Sequence, residues 1–199
     1  MVTATKTLAE ADGTQFEAKV YEVETGIFAS ATVLEGGYGR ITKEITMPSG
    51  TATHSDKDAI AHTTADATTH NLPLAGRVVG GTGAVIAAAI KTNNPAWTTP
   101  ISMIIYDGAG PAAYVADNTA FDPMYADKGL VVCQIDFGSF NKVTGGAGSF
   151  AWTRADGLNR PFVCAAASQN LYFQMWSNGV SSAQVAGQKF SIEIGIIRD

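Results

Sequence analysis

The segment Phe190-Ser191-Ile192-Glu193-Ile194-Gly195-Ile196 places each large apolar side chain two residues from the next, with Ser191, Glu193 and Gly195 between them. A strand has a side-chain period of 2, so this spacing builds one apolar and one polar face, which a helix of period 3.6 would scramble. The same alternation recurs upstream. Phe16, Ala18 and Val20 alternate with polar neighbours, as do Ile27, Ala29, Ala31 and Val33 with theirs. Tyr38, Arg40, Thr42 and Glu44 alternate with Gly39, Ile41, Lys43 and Ile45, which predicts a half-buried strand.

Further short apolar runs lie between these: Leu74–Val79, Ala84–Lys91, Ile101–Tyr106, Leu130–Phe137, Phe150–Thr153, Phe162–Ala166 and Leu171–Ser177. Turn chemistry separates them at Asp107-Gly108, Gly145-Gly146-Ala147-Gly148, Asp156-Gly157 and Asn178-Gly179, where glycine supplies backbone conformations that other residues resist. No long segment of period 3.6 interrupts the series. Short strands at this spacing without helices predict an all-β protein, a β-sandwich of the jelly-roll kind. The polar stretch 1–14 is expected to be a flexible N-terminal arm and 15–199 the sandwich domain. Thr51 to Asn71, dense in Thr, Asp, His and Ala, is expected to be a surface loop or a short helix around Asp56–Ala67.

A domain of 199 residues removes enough surface from water to need no metal or disulfide staple. Only 16% of residues are charged, against about 25% in an ordinary soluble domain, so part of the surface is neutral. A neutral surface suits packing against neighbours. The net charge is −5, and neither a basic patch nor an Arg/Lys run appears, so nucleic acid is not an expected partner. The opening Met1-Val2-Thr3-Ala4-Thr5-Lys6-Thr7 is polar, so no signal peptide is expected. The longest apolar run, Ala84–Ile90, is far shorter than the ~20 residues of a membrane span, and no membrane association is expected. Cys133 and Cys164 each sit in an apolar stretch and read as buried thiols; a disulfide across neighbouring strands is the alternative.

Several patterns could carry chemistry. Val78-Val79-Gly80-Gly81-Thr82-Gly83-Ala84-Val85-Ile86 looks like a glycine-rich dinucleotide turn, with Asp107 near the place of a ribose-binding acid. However, Ile86 stands at the third glycine position, Asn93-Asn94-Pro95 leaves barely two helical turns, and no βαβ pattern follows. A glycine-rich hairpin turn is the better reading. His54, His62 and His70, spaced eight apart, miss the spacings of a zinc site and read as solvated. Asp56 and Asp58 lack the rest of a calcium loop, and no Gly-x-Ser-x-Gly elbow is present. Asp136 and Glu193, the main acids in apolar strands, read as polar residues of outer sheet faces. Gln169–Met175 resembles a protease-tag scar but lacks its glutamate and reads as native strand. Trp97, Trp152 and Trp176 fill a core or anchor a subunit contact, or else form a platform for sugar. No catalytic residue, cofactor or metal site is expected.

Over residues 97–199, Ile101–Tyr106 ends in Asp107-Gly108 and leads to Pro111, then to Asp117-Asn118-Thr119-Ala120-Phe121-Asp122-Pro123 and to Tyr125-Ala126-Asp127 before Leu130–Phe137. Pro161-Phe162-Val163, Leu171-Tyr172 and the final alternating strand follow. This order of features resembles the head decoration, or capsid-stabilising, proteins of tailed bacteriophages. Residues 1–70 carry no such likeness. The resemblance implies a jelly-roll-like domain, often trimeric, on the outer surface of an icosahedral shell, with the major capsid protein and sister copies as partners. A negative surface agrees, since packaged DNA would repel it from the interior. Under this reading Trp97, Trp152, Trp176, Asp117, Asn118 and Phe121 are interface candidates, and Asp117-Asn118 orders a loop through side-chain-to-backbone hydrogen bonds. The alternative is a carbohydrate- or receptor-binding β-sandwich of a phage tail. A nucleotide-dependent enzyme is a distant third.

Overall fold

The computed structural model describes residues 3–9, 15–24, 27–29, 37–48, 53–143, 149–181, 184–185 and 187–198. The chain divides into two units, Met1–Glu35 and Gly36–Asp199. In the first, strands β1 (Thr3–Ala9), β2 (Gln15–Glu24) and β3 (Ile27–Ala29) form an antiparallel sheet in the order β1-β2-β3. Thr3 to Ala9 is therefore strand, paired residue by residue with Tyr21 back to Gln15. The division falls after Glu35, so Gln15–Glu24, expected in the sandwich, pairs with the N-terminal segment instead. Ala31 and Val33, and the Gly145–Gly148 cluster, lie outside the described residues.

The second unit is the expected all-β sandwich, two antiparallel sheets packed face to face. Its strands are β4 (Gly37–Thr46), β5 (Ala59–Ile60), β6 (Asn71–Leu72), β7 (Thr82–Thr92), β8 (Ile101–Tyr106), β9 (Val131–Asp136), β10 (Asn141–Val143), β11 (Phe150–Val163), β12 (Leu171–Ser177) and β13 (Lys189–Arg198). One sheet has the order β10-β11-β7-β13-β4; the other has β5-β12-β8-β9, with β6 also on β12. The alternation that opens the chain's clearest strand does its work here. Phe190, Ile192, Ile194 and Ile196 are fully buried, as are Ile45, Val85 and Ile90 on flanking strands. Ile101, Met103, Ile105, Leu171, Phe173 and Met175 belong to the same core from the second sheet.

Four local expectations change. Phe150–Thr153 and Phe162 onward are one strand, because Asp156-Gly157 does not turn the chain. Instead the register against β7 shifts between Asp156 and Arg160, with Gly157 at φ 69 and Asn159 at φ 42. A positive φ is the hallmark of a bulge as much as of a turn. Leu74–Val79 is turn and bend, and Gly80 (φ 71) leads straight into β7, so no helix follows the glycine cluster. Gly83 is required there: a Cβ would overlap the Ile197 carbonyl oxygen on the neighbouring strand. The segment around Asp56–Ala67 holds turns, a bridge at Asp58 and β5, not a helix.

β8 is buried at all six positions, so the second sheet is covered on both faces at this strand. The inner face meets the first sheet. Over the outer face lies the connector to β9, which includes a 3-10 helix, Tyr125–Leu130. Phe121, Leu130 and Tyr172 pack there on Ile104, Tyr106 and Trp176.

Candidate interaction surfaces

The six residues singled out as interface candidates fall in three different settings. Trp97 is fully buried, with its Nε1 donating to the Thr99 carbonyl at 2.9 Å and its ring edge-on to Phe190 at 5.2 Å. It offers no surface to a partner. Trp176 is 8% exposed, because Phe121 stacks on it at 4.5 Å with an interplanar angle of 8°. Trp152 stands alone among the three tryptophans on the outer face of the first sheet, half-buried, in register with Lys91 and Asn141.

Asp117, Asn118 and Phe121 belong to the strap over the second sheet. Asn118 (φ 56) donates its amide to the Ala59 carbonyl (2.9 Å), the Ala59 amide donates to Thr119 (2.8 Å), and the Phe121 amide donates to Lys57 (2.8 Å). The strap is thus laid along β5 by main-chain bonds. Asp117 does order backbone, as its residue type suggests, but far away in sequence: Oδ1 accepts from the Ala61 amide at 3.0 Å.

The same carboxylate is the centre of a buried polar knot. His54 Nε2 lies 3.1 Å from Asp117 Oδ1, and Gln184 Nε2 donates to Asp117 Oδ2 at 3.4 Å. His54 and Ser181 exchange bonds, with the His54 amide donating to Ser181 Oγ (2.8 Å) and the Ser181 amide to the His54 carbonyl (2.9 Å). Serine, histidine and aspartate are together here, yet Ser181 Oγ is bonded by main chain and not by the imidazole. Nucleophilic catalysis needs the hydroxyl on the ring nitrogen. The knot ties three connectors together instead.

Two of the three histidines are buried, contrary to the solvated reading. His54 is wholly enclosed, and His70 is 1% exposed between Phe173 (5.3 Å) and Tyr114 (5.6 Å). Burial holds His70 down at about 4. Its Nε2 accepts from the His62 amide at 3.4 Å, and Nδ1 faces Thr69 Oγ1 at 2.9 Å, a neutral-ring arrangement. Beside it Asp66 Oδ1 accepts from Thr68 Oγ1 (2.7 Å) and the amides of Thr68 and Thr69, which lowers Asp66 to about 2. Among the described residues no group of three or more His, Cys, Asp or Glu is placed to hold a metal ion. Cys133 and Cys164 are free and buried, and burial pushes the Cys133 thiol up to about 11.

Among the described residues of its unit nothing covers the outer face of the first sheet, and the register arranges it in rows. Glu44, Ser191, Lys91, Trp152 and Asn141 form one; Thr42, Glu193, Ala89 and Arg154 form the next. The charges are bridged across the strands: Lys189 with Glu44 (2.7 Å), Lys91 and Arg40 (3.7 Å) both with Glu193, and Arg154 with Asp156 (2.6 Å). Asp136, by contrast, accepts from Gln134 and Ser102 on the outer face of the other sheet. With a whole sandwich between them, Asp136 and Glu193 cannot flank one glycosidic bond. The feature missed in sequence is Phe150, two residues before Trp152 on the same face. Its signal was the pattern of small buried residues, Ala151 (0%) and Thr153 (4%), which sends the large rings outward. No helix among the described residues is long and apolar enough to cross a membrane. No family model and no curated protein matches the chain.

Proposed function

We infer that this chain is a non-enzymatic virion structural protein, a decoration or cement protein that binds the outer capsid surface of a tailed bacteriophage. It contacts the major capsid protein and sister copies, as a homotrimer assembled in the host cytoplasm, and stabilises the shell. Neither cofactor, nucleic acid nor membrane has a part in this role.

The observation that carries the reading is the division of the chain after Glu35. A three-stranded sheet within 35 residues is below the size at which a hydrophobic core alone suffices, about 40 residues, and such units lean on disulfides, metals or a partner surface. Both cysteines lie beyond residue 130 and all three histidines beyond residue 50, so the first unit has no thiol or imidazole of its own. A small sheet that gains its stability on another surface is a suitable clamp across subunit boundaries. Many copies, each adding modest interface area, strengthen a shell together. Low charge supports the same role, since a neutral exterior packs beside neighbours without repulsion.

The test uses heads purified from a phage lacking this gene. Added full-length protein is expected to co-sediment with expanded heads to a saturating copy number and to raise the temperature at which they release DNA. Light scattering on the free protein is expected to give three times the chain mass of 20.7 kDa. A monomer that neither sediments with heads nor protects them overturns the reading.

A further inference from the structure

On the open face of the first sheet a cleft of about 380 Å³ is lined by Glu44, Lys91, Asn93, Phe150, Lys189 and Ser191. The register sets Trp152 directly across from Lys91, one row below Phe150. We propose that this cleft, with Trp152 at its margin, binds an uncharged oligosaccharide built of hexopyranoses. The proposal does not depend on attachment to a shell.

Three features select this ligand class. The first is the pair of aromatic residues, Phe150 and Trp152, two apart on β11 beside a row of charged and polar side chains, with the other exposed ring of this face, Tyr38, away on β4. A pyranose has one apolar C–H face that lies on such a ring, while its rim of hydroxyls stays polar. Second, both lysines that line the cleft are already engaged by carboxylates, Lys189 by Glu44 and Lys91 by Glu193, which also meets Arg40 at 3.7 Å. The lining therefore offers no free ammonium to a phosphate or a sialylated glycan. Yet each pair holds its ammonium and carboxylate in place, ready to donate to and accept from hydroxyls through charge-assisted bonds. Third, the floor strands β7 and β13 are paired on both sides, β13 with β4 and β7, β7 with β11 and β13. An extended peptide recognises a free strand edge, which this sheet offers at its end strand β4 and not on the cleft floor.

The experiment applies the full-length protein to an array of neutral hexose and N-acetylhexosamine oligosaccharides printed beside sialylated and sulfated glycans. The strongest binder is then titrated into the protein with tryptophan fluorescence and amide NMR as readouts. The expected result is saturable binding at or below about 1 mM, with shifts centred on Phe150, Ser191 and Lys91. Trp152→Ala and Phe150→Ala are each expected to weaken it at least about tenfold, the scale of a lost stacking contact with its neighbours. Lys189 is half exposed, so Lys189→Ala keeps the fold and is expected to weaken binding several-fold. Tyr125→Ala, an aromatic 79% exposed elsewhere on the surface, is expected to change nothing. Absence of binding across the neutral array overturns the proposal. So does binding that survives both Trp152→Ala and Lys189→Ala, or binding confined to acidic glycans.

Discussion

Lowering the pH from 7.5 to 5 is expected to destabilise the sandwich through His70. In the unfolded chain an imidazole titrates near 6.5, whereas burial holds His70 down at about 4. Above the unfolded value both states are neutral and the stabilisation is fully present. As the pH falls from 6.5 to about 4, the unfolded chain takes up a proton that the folded one refuses, so the free energy of unfolding decreases. Below about 4 both states are protonated and the loss levels off. The full span corresponds to about 3 kcal/mol, and about 2 kcal/mol of it is gone by pH 5. Structure gives the reason for the refusal. Nε2 is already an acceptor for the His62 amide, so a proton there breaks that bond and leaves a charge between Phe173 and Tyr114. Lys43, whose ammonium is bonded to Thr68 and Asn71 nearby, also disfavours a second positive charge, and only Asp66 opposes it. Urea unfolding followed by tryptophan fluorescence at pH 7.5 and 5.0 measures the loss, with His70→Phe as comparison because it keeps an aromatic ring in the site. The variant is expected to lose about 2 kcal/mol less between the two pH values. Equal losses in both proteins, or an NMR titration of His70 centred near 6.5, would refute the reasoning.

Phe121→Ala removes the ring stacked on Trp176 and is expected to cost about 2 kcal/mol, with a red shift of tryptophan emission as the strap loosens; an unchanged urea midpoint and spectrum contradict this. Gly83→Ala places a methyl group against the Ile197 carbonyl and the Phe162 ring, where the two central strands of the first sheet cannot part, so a loss of about 3 kcal/mol is expected. Gly129→Ala, with nothing near its added methyl, is the control expected to be neutral in the same melting experiment. Both thiols should be unreactive toward Ellman's reagent at pH 8 in the folded protein and both reactive in denaturant, since the thiol form of buried Cys133 is favoured. Native reactivity at either site means that the site opens.

Strand identity was legible where it is local. The period of β13 and β4 is written in adjacent residues, and so is the absence of any 3.6-residue repeat. What depends on remote partners was not. Asp156-Gly157 takes a positive φ whether it reverses the chain or bulges a strand, and the choice is made by β7, about 70 residues earlier. The burial of His54 and His70 likewise comes from elsewhere: Asp117 and Gln184 for one, Phe173 and Tyr114 for the other. Their own segment contains few large apolar residues and so looks solvated. The unbroken apolar run Ile101–Tyr106 did contain a signal of cover on both faces, though not of what supplies it. Of the candidate surface, Trp152 was visible as a residue type, but its exposure needed the pairing with Lys91 to place it.

The two proposed roles make different demands on the face that carries Trp152, and this makes their combination informative. Exposed ion pairs such as Lys189–Glu44 contribute at most about 1 kcal/mol each, so stability does not explain why this face is laced with ion pairs. The pairing instead leaves the charged groups of the face held and engaged, suited either to lie against a capsid or to meet an uncharged glycan, but not both at once. Over β12 and β8 the outer face of the second sheet is already covered by the chain's own strap. If the shell covers the first sheet, sugar binding measured on free protein must disappear when the protein is bound to heads. If the N-terminal unit makes the attachment and the sheet points outward, sugar affinity must persist and rise with the number of copies displayed. Equal single-site affinity on free protein and on decorated heads, with no gain for a multivalent glycan, would exclude both arrangements.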